Sequence, residues 1–335
     1  MPIEQLDAGR DRLCLAGRSV EPVVPVESLL AAFEHEDIEQ FRPLLPVGYR
    51  EVAEAYARAA RGITVEDLSD HYTTGLEYFR DDFTPGLKRR LAELTGECWQ
   101  LDDYVAYAGG SDVDLMTHLI EAVAAREPVN VFPGDWYGFV VGSTHPQRIH
   151  WEACPDARLA CICVPSVRNG HFTEEMAAFV ESASAALLNL NLFPTLPEQE
   201  RHAIAAQLRP VLPRAILSIS FSRGFGMTAS QLGVFLVHRD HPYRKVFAQQ
   251  WEWYTYFYNA LAARTFLDID LGALAAVDAA RRAWVHRWLE DHGLPVVSTG
   301  SYYVKSFQVD GPIPESLAPL ARDGLVRLCF KPPQT

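Results

Sequence analysis

The chain has 335 residues, 48% hydrophobic and 22% charged, which is enough apolar material for one large folded unit with a smaller one and excludes disorder throughout. Its formal net charge of −13 would repel a phosphate backbone and so excludes nucleic-acid binding as a first reading. The six cysteines are dispersed, the first residues carry no apolar core of signal-peptide length, and no run of about 18 uncharged apolar residues occurs, so neither a disulfide framework nor a membrane span is expected and a cytoplasmic location is.

In chain order, residues 26–62 read as helical, with apolar positions at helical spacing in VESLLAAFEHEDIEQF and YREVAEAYARAA, separated by Pro43, Pro46 and Gly48. PGLKRRLAELTG reads as a helix with Pro85 near its start and Gly96 near its end. From about residue 103 strands and helices alternate. YVAYAGG is a strand, SDVDLMTHLIEAVAA a helix capped at Ser111 or Asp112, and PVNVFPG and RLACICVP are strands. TEEMAAFVESAS is a helix, and AALLNLNLF, RAILSISFS and QLGVFLVHR are strands. Two long helices follow, FAQQWEWYTYFYNALAARTF and AALAAVDAARRAWVHRWLEDHG, then the strands SYYVKSFQV and GLVRLCF. The alternation predicts a three-layer α/β/α unit with a mostly parallel sheet over 66–270. A smaller α+β domain would be built from 271–335 together with the helical segment 1–65. Cys161 and Cys163 lie two apart on an apolar strand, where buried thiols are the expectation and no metal is.

At 218–233 the sequence reads SISFSRGFGMTASQLG, which places Ser220, Ser222, Arg223, Gly226 and Gly233 in and after one strand. Upstream, YAGGSDVDLM puts Gly109, Gly110 and Ser111 at a helix start, where free N–H groups and the helix dipole favour an anion. VNVFPGDWYGF carries Trp136 and Tyr137, CVPSVRNGHF is a loop, AALLNLNLF carries Asn189, and GLVRLCF carries Arg327. In order and spacing these blocks resemble fold-type-I aminotransferases of class I/II, which depend on pyridoxal phosphate (PLP), over about residues 70–335. The resemblance implies a phosphate cradle at Gly109, Gly110, Ser111, Ser220 and Ser222. It also implies an aromatic ring, Trp136 or Tyr137, stacked on the cofactor, a cofactor-ring partner at Asn189, and a substrate-carboxylate clamp at Arg327 with Tyr303 beside it.

The departures from the family pattern are chemical. Arg223 stands at the Schiff-base lysine, and a guanidinium that is always charged is neither the neutral amine nucleophile nor the base that transamination uses. Asn189 replaces the Asp that pairs with the pyridine nitrogen, Leu192 a Tyr, Val167 an Asn and Gln231 the Arg of the phosphate clamp. Five altered contacts lead to the expectation that no cofactor is held, with PLP or pyridoxamine phosphate bound non-covalently as the alternative. Arg223 is then an anion-binding group or a structurally paired remnant.

Three functions fit. The first is a repurposed biosynthetic enzyme that binds an amino acid or a derived carboxylate in the old cleft by a PLP-independent route. The second is an enzyme using non-covalent PLP or pyridoxamine phosphate. The third is a non-catalytic partner of an active enzyme. An enzymatic role is the expectation, the resemblance implies a homodimer, and the catalytic residues stay unassigned.

Overall fold

The computed structural model describes residues 21–39, 47–70, 75–135, 143–151, 154–228, 230–248 and 259–333. Its large sheet has seven strands: β2 (Tyr104–Gly109), β3 (Val129–Val131), β4 (Ile149–His150), β5 (Leu159–Cys163), β6 (Ala185–Asn189), β7 (Ala215–Ser220) and β8 (Gly233–His238). Their order is β2-β8-β7-β6-β5-β3-β4. β8 runs antiparallel to both its neighbours, and the other pairs are parallel. This is the expected mostly parallel α/β sheet. The central strands LACIC, AALLN and AILSIS are buried at every position, as strands covered on both faces must be.

Alternation along these strands splits the interior into two layers. Cys161, Leu187 and Ile216 face one side, where helix α4 (Asp112–Ala124) contributes Leu115, Met116, Leu119, Ile120 and Val123. Ile162, Leu188 and Leu217 face the other, against Leu87 and Leu91 of α3 (Thr84–Leu94) and Met176 and Val180 of α5 (Glu174–Ser182). At about 1.5–3 kcal/mol for each large apolar side chain buried, these two layers are the main driving force of the fold. Cys161 and Cys163 both belong to the α4 layer as buried thiols.

A second, four-stranded sheet has the order β1-β9-β11-β10, from β1 (Val23–Val24), β9 (Val304–Val309), β10 (Ala321–Arg322) and β11 (Leu325–Cys329). Its core joins α1 (Val26–Phe33) and the C-terminal half of α8 (Leu271–Asp291) through Leu29, Ala32, Val285, Trp288 and Leu289, packed with Phe307, Val326 and Leu328. Helix α2 (Arg50–Gly62) packs on α7 (Ala260–Asp268). Helix α6 (Glu198–Leu208) was not anticipated; it buries Ile204, Ala205 and Leu208, and its Arg201 guanidinium donates to the carbonyls of Leu94 and Leu196. The aromatic stretch expected to open a long helix lies outside the described residues up to 258, and the helix is seen from Ala260.

Two features position the site. A buried polar network ties residues 47–49 to α8 and to the start of β9. The Tyr49 and Tyr302 hydroxyls donate to one oxygen of Asp278, at 2.6 and 2.8 Å, and Arg281 donates to the Gly48 carbonyl and the Tyr302 hydroxyl. Tyr303 stacks on Tyr302 with ring centroids 4.7 Å apart, and its hydroxyl accepts from the Val47 amide at 3.0 Å. The second feature is the contact between the start of β8 and the start of α4. A Cβ on Gly233 would meet the Asp112 nitrogen at 1.8 Å and the Ser111 carbonyl carbon at 2.1 Å, so only glycine fits. Gly233→Ala is therefore expected to lower the unfolding free energy by about 3 kcal/mol, the upper end of the usual overpacking cost, since both obstacles are backbone. Urea denaturation measures this, and a loss below about 1 kcal/mol would mean that the helix start retreats freely from the strand.

Candidate functional site

The strand ends converge where β2 and β7 finish on either side of β8. β2 ends at Gly109, paired with Gly233, and the chain turns through Gly110 into Ser111, whose hydroxyl caps α4 by accepting from the Asp114 amide at 3.2 Å. β7 ends at Ser220, whose hydroxyl lies 3.0 Å from that of Ser222. Arg223 follows, and residues 230–232 lead back into β8. Between these segments lies a cavity of about 320 Å³, with Ser111, Asp112, Ser220, Ser222, Arg223, Ser230 and Gln231 among its lining residues. The structure thus gathers Gly110, Ser111, Ser220, Ser222 and Arg223 around one space, while Gly109, Asn189, Tyr303 and Arg327 are not among its described lining residues.

The sequence reading treated Asp112 only as a helix cap. It also lines this cavity and is 6% exposed. Burial pushes its carboxyl up to about 6, against the pull of the Arg223 charge and of hydrogen bonds from its own amide, the Ser220 hydroxyl and the Val113 amide. Asn189, at the end of β6, is turned toward the same acid: its amide nitrogen lies 3.4 Å from Asp112 Oδ2, and its oxygen accepts from the Asn191 amide at 2.9 Å. Ser230 was also missed in the sequence. It is distinguished there only by standing two residues after Thr228, in a stretch with no strand or helix pattern.

Arg223 feels charge from both sheets. Desolvation lowers its pKa; Asp112, Tyr303 and Cys163 favour its cation, and Arg327 opposes it. Arg327, on β11, is 3% exposed and donates to the Val167 carbonyl at 3.0 Å. That carbonyl belongs to a loop organised by Asp135, which accepts from the Cys163 amide at 2.5 Å, the Ser166 hydroxyl at 3.1 Å and the Val167 amide at 3.2 Å. Tyr303 immediately precedes β9 and, like Arg327, is near enough to Arg223 to act on its charge. Trp136 and Tyr137 directly follow Asp135 but lie outside the described residues.

None of the chain's four lysines is among the described lining residues of the cavity. Lys305 lies buried on β9 with its amine donating to the Thr299 carbonyl at 2.6 Å, and Lys88 donates to the Asp102 carbonyl at 3.3 Å. Lys245 sits in the short helix Arg244–Ala248, and Lys331 follows β11. The site therefore offers a phosphate hydroxyl groups, a helix N-terminus and a guanidinium, and offers an aldehyde no amine. Among the described residues no cluster of three or more His, Cys, Asp or Glu is arranged to hold a metal, and no helix is long and apolar enough to cross a membrane.

No protein-family model matches the sequence, and no curated protein is close enough in sequence to match. Solved structures do match. An aspartate aminotransferase from Thermotoga maritima superposes with a TM-score of 0.60 at 16% identity, covering 91% of this chain and 90% of that one. An Escherichia coli protein with a methionine aminotransferase function gives 0.59 at 14%, covering 94% and 95%. A histidinol-phosphate aminotransferase from Sinorhizobium meliloti, in complex with pyridoxal 5'-phosphate, gives 0.53 at 18%, covering 96% and 93%. These neighbours overturn the expectation that no cofactor is held. The replaced side chains on which it rested leave in place the backbone N–H groups and serine hydroxyls that a phosphate needs. At these identities the likeness establishes architecture, and the chain has the fold of the fold-type-I aminotransferases.

Proposed function

We propose that the protein is an aminotransferase-fold enzyme that holds PLP or pyridoxamine phosphate without a covalent bond and binds an amino acid, or an acid derived from one, through its carboxylate. The observation that carries this reading is the cavity at the start of α4, lined by four serines and an arginine and by none of the chain's lysines. In this reading Arg223 occupies the Schiff-base position, so ordinary lysine-dependent transamination is lost.

When bound, the cofactor supplies a conjugated ring that stabilises negative charge on an attached carbon. The protein's own groups do the rest. The positive end of the α4 dipole and the hydroxyls of Ser111, Ser220, Ser222 and Ser230 bind the phosphate, which takes over the Asp112 and Val113 amides from the Asp112 carboxylate. Asn189 and Asp112 stand together behind them, and Asp112 holds a proton to about pH 6. Arg327 presents a planar fork to a carboxylate, fixed by its bond to Val167. Tyr303, held by the Val47 amide, borders that position. Trp136 is the ring-stacking candidate, and the homodimer implied by the resemblance belongs to the same reading.

Three outcomes are expected. PLP added to the protein should give a bound absorbance band that gel filtration removes both before and after borohydride treatment; a lysine labelled permanently on reduction would sink the non-covalent reading. Arg327→Met should weaken the response of that band to L-amino acids and 2-oxo acids by about 30-fold, the worth of a charged hydrogen bond of about 2 kcal/mol, while PLP affinity stays within about twofold. Equal loss of both would place Arg327 in the fold and not at the substrate.

The third outcome concerns pH. The folded-state pKa of Asp112, about 6, lies above its ordinary 3.8, so the fold favours the protonated acid. That contribution to stability is full below about pH 4 and is lost as the pH rises through about 6. Asp112→Asn cannot ionise, so its unfolding free energy relative to the unaltered protein should rise by on the order of 2 kcal/mol between pH 4 and pH 7. Urea titrations at both pH values test this, and a pH-independent difference would contradict it.

A further inference from the structure

The charge inventory of the cavity is short. Among its described lining residues Arg223 is the one cation and Asp112 the one acid, and the other polar groups are neutral hydroxyls and amides. Gln231 lines the same space with φ 43°, and its side chain brings no charge. The Asp112 carboxylate already takes its own amide, the Val113 amide and the Ser220 hydroxyl, and it lies within the field of Arg223. Ser111, Ser222 and Ser230 supply further hydroxyls around the same space, more than one carboxylate can engage. Neutral hydroxyls bind phosphate and other polar groups alike. A part-buried guanidinium such as that of Arg223 discriminates, because its charge and its planar fork fit a phosphate oxygen pair and gain nothing from an alcohol.

We propose that Arg223 is the phosphate-selecting residue of this cavity: its guanidinium sets the preference for a phosphorylated ligand over the same ligand without phosphate, and Asp112 holds that guanidinium at the cavity wall when no ligand is bound. The inference rests on the reading that a PLP-type ligand occupies the cavity, and it gives Arg223 an electrostatic role in binding in place of a nucleophilic one. No bond is made or broken at Arg223.

The test uses pyridoxine 5'-phosphate and pyridoxine, which lack the aldehyde and so bind without covalent chemistry even to a lysine variant, with inorganic phosphate as a third probe. Calorimetric titration of the unaltered chain should show a preference for the phosphorylated ligand of at least about 100-fold. Arg223→Met should cut that preference by about tenfold or more and leave pyridoxine affinity unchanged, and Arg223→Lys should keep it within about threefold. Arg223→Met leaves Asp112 buried without its cation, so Arg223→Met combined with Asp112→Asn, which removes both charges, carries the test if the single variant does not fold. A charge relocated to the neighbouring wall, by Arg223→Met with Gln231→Arg, should restore part of the preference, which a purely structural Arg223 would not. If the unaltered chain prefers the phosphorylated ligand and both neutralised variants keep that preference, the inference is overturned while the proposed cofactor site stands. If the unaltered chain binds neither pyridoxine phosphate nor inorganic phosphate, the cofactor reading itself falls, and this inference with it.

Discussion

The site depends on a contact in which no side chain takes part. β8 runs antiparallel between β2 and β7 and begins at a glycine pressed against the first backbone atoms of α4. That approach sets the distance between the helix N-terminus and the loop after β7, and so the width of the cavity. It also covers the first residue of α4, so that the acid there, ordinarily a water-facing residue, is 6% exposed while the neighbouring Val113 and Asp114 remain exposed. The burial of this acid, and with it the raised pKa, goes with the close approach that the missing Cβ at Gly233 allows.

The second wall is held by polar groups out of water. Asp135, also buried and pushed up to about 6, accepts from two amides and a hydroxyl of the loop after β5, and that loop presents the Val167 carbonyl to Arg327. Asp278, Tyr49, Tyr302 and Arg281 fix the segment whose Val47 amide holds Tyr303. Arg327 and Tyr303 are not among the described lining residues of the cavity, but these networks hold both of them in fixed orientations. Preorganisation of this kind lowers the entropy lost when a ligand binds.

Much of the architecture was legible because parallel strands buried on both faces must be written as unbroken apolar runs, and LACIC, AALLN and AILSIS are. Helix α6 was not legible. Its core-facing side includes Arg201, whose charge is met by backbone carbonyls of other segments, and hydrophobic periodicity cannot anticipate that. Asp112 escaped notice for a related reason: an acid at a helix start is ordinary, and only the remote glycine buries it. Asn189 aligns with a ring-pairing residue in the sequence, and the fold adds what the sequence does not show: its oxygen accepts from the Asn191 amide and its nitrogen faces Asp112.

The expectation of an empty site failed because it counted side chains. A phosphate at a helix N-terminus is bound largely by backbone N–H groups, which no substitution removes, and the dipole of α4 is indifferent to what stands at Arg223 or Gln231. What a lysine gives such a site is separable into a positive charge and a nucleophilic amine. Arginine keeps the first and lacks the second. On the proposed reading, the change at Arg223 therefore leaves the electrostatics of anion capture in place while ending covalent attachment, and a ligand held only by its phosphate depends more heavily on the one cation beside it.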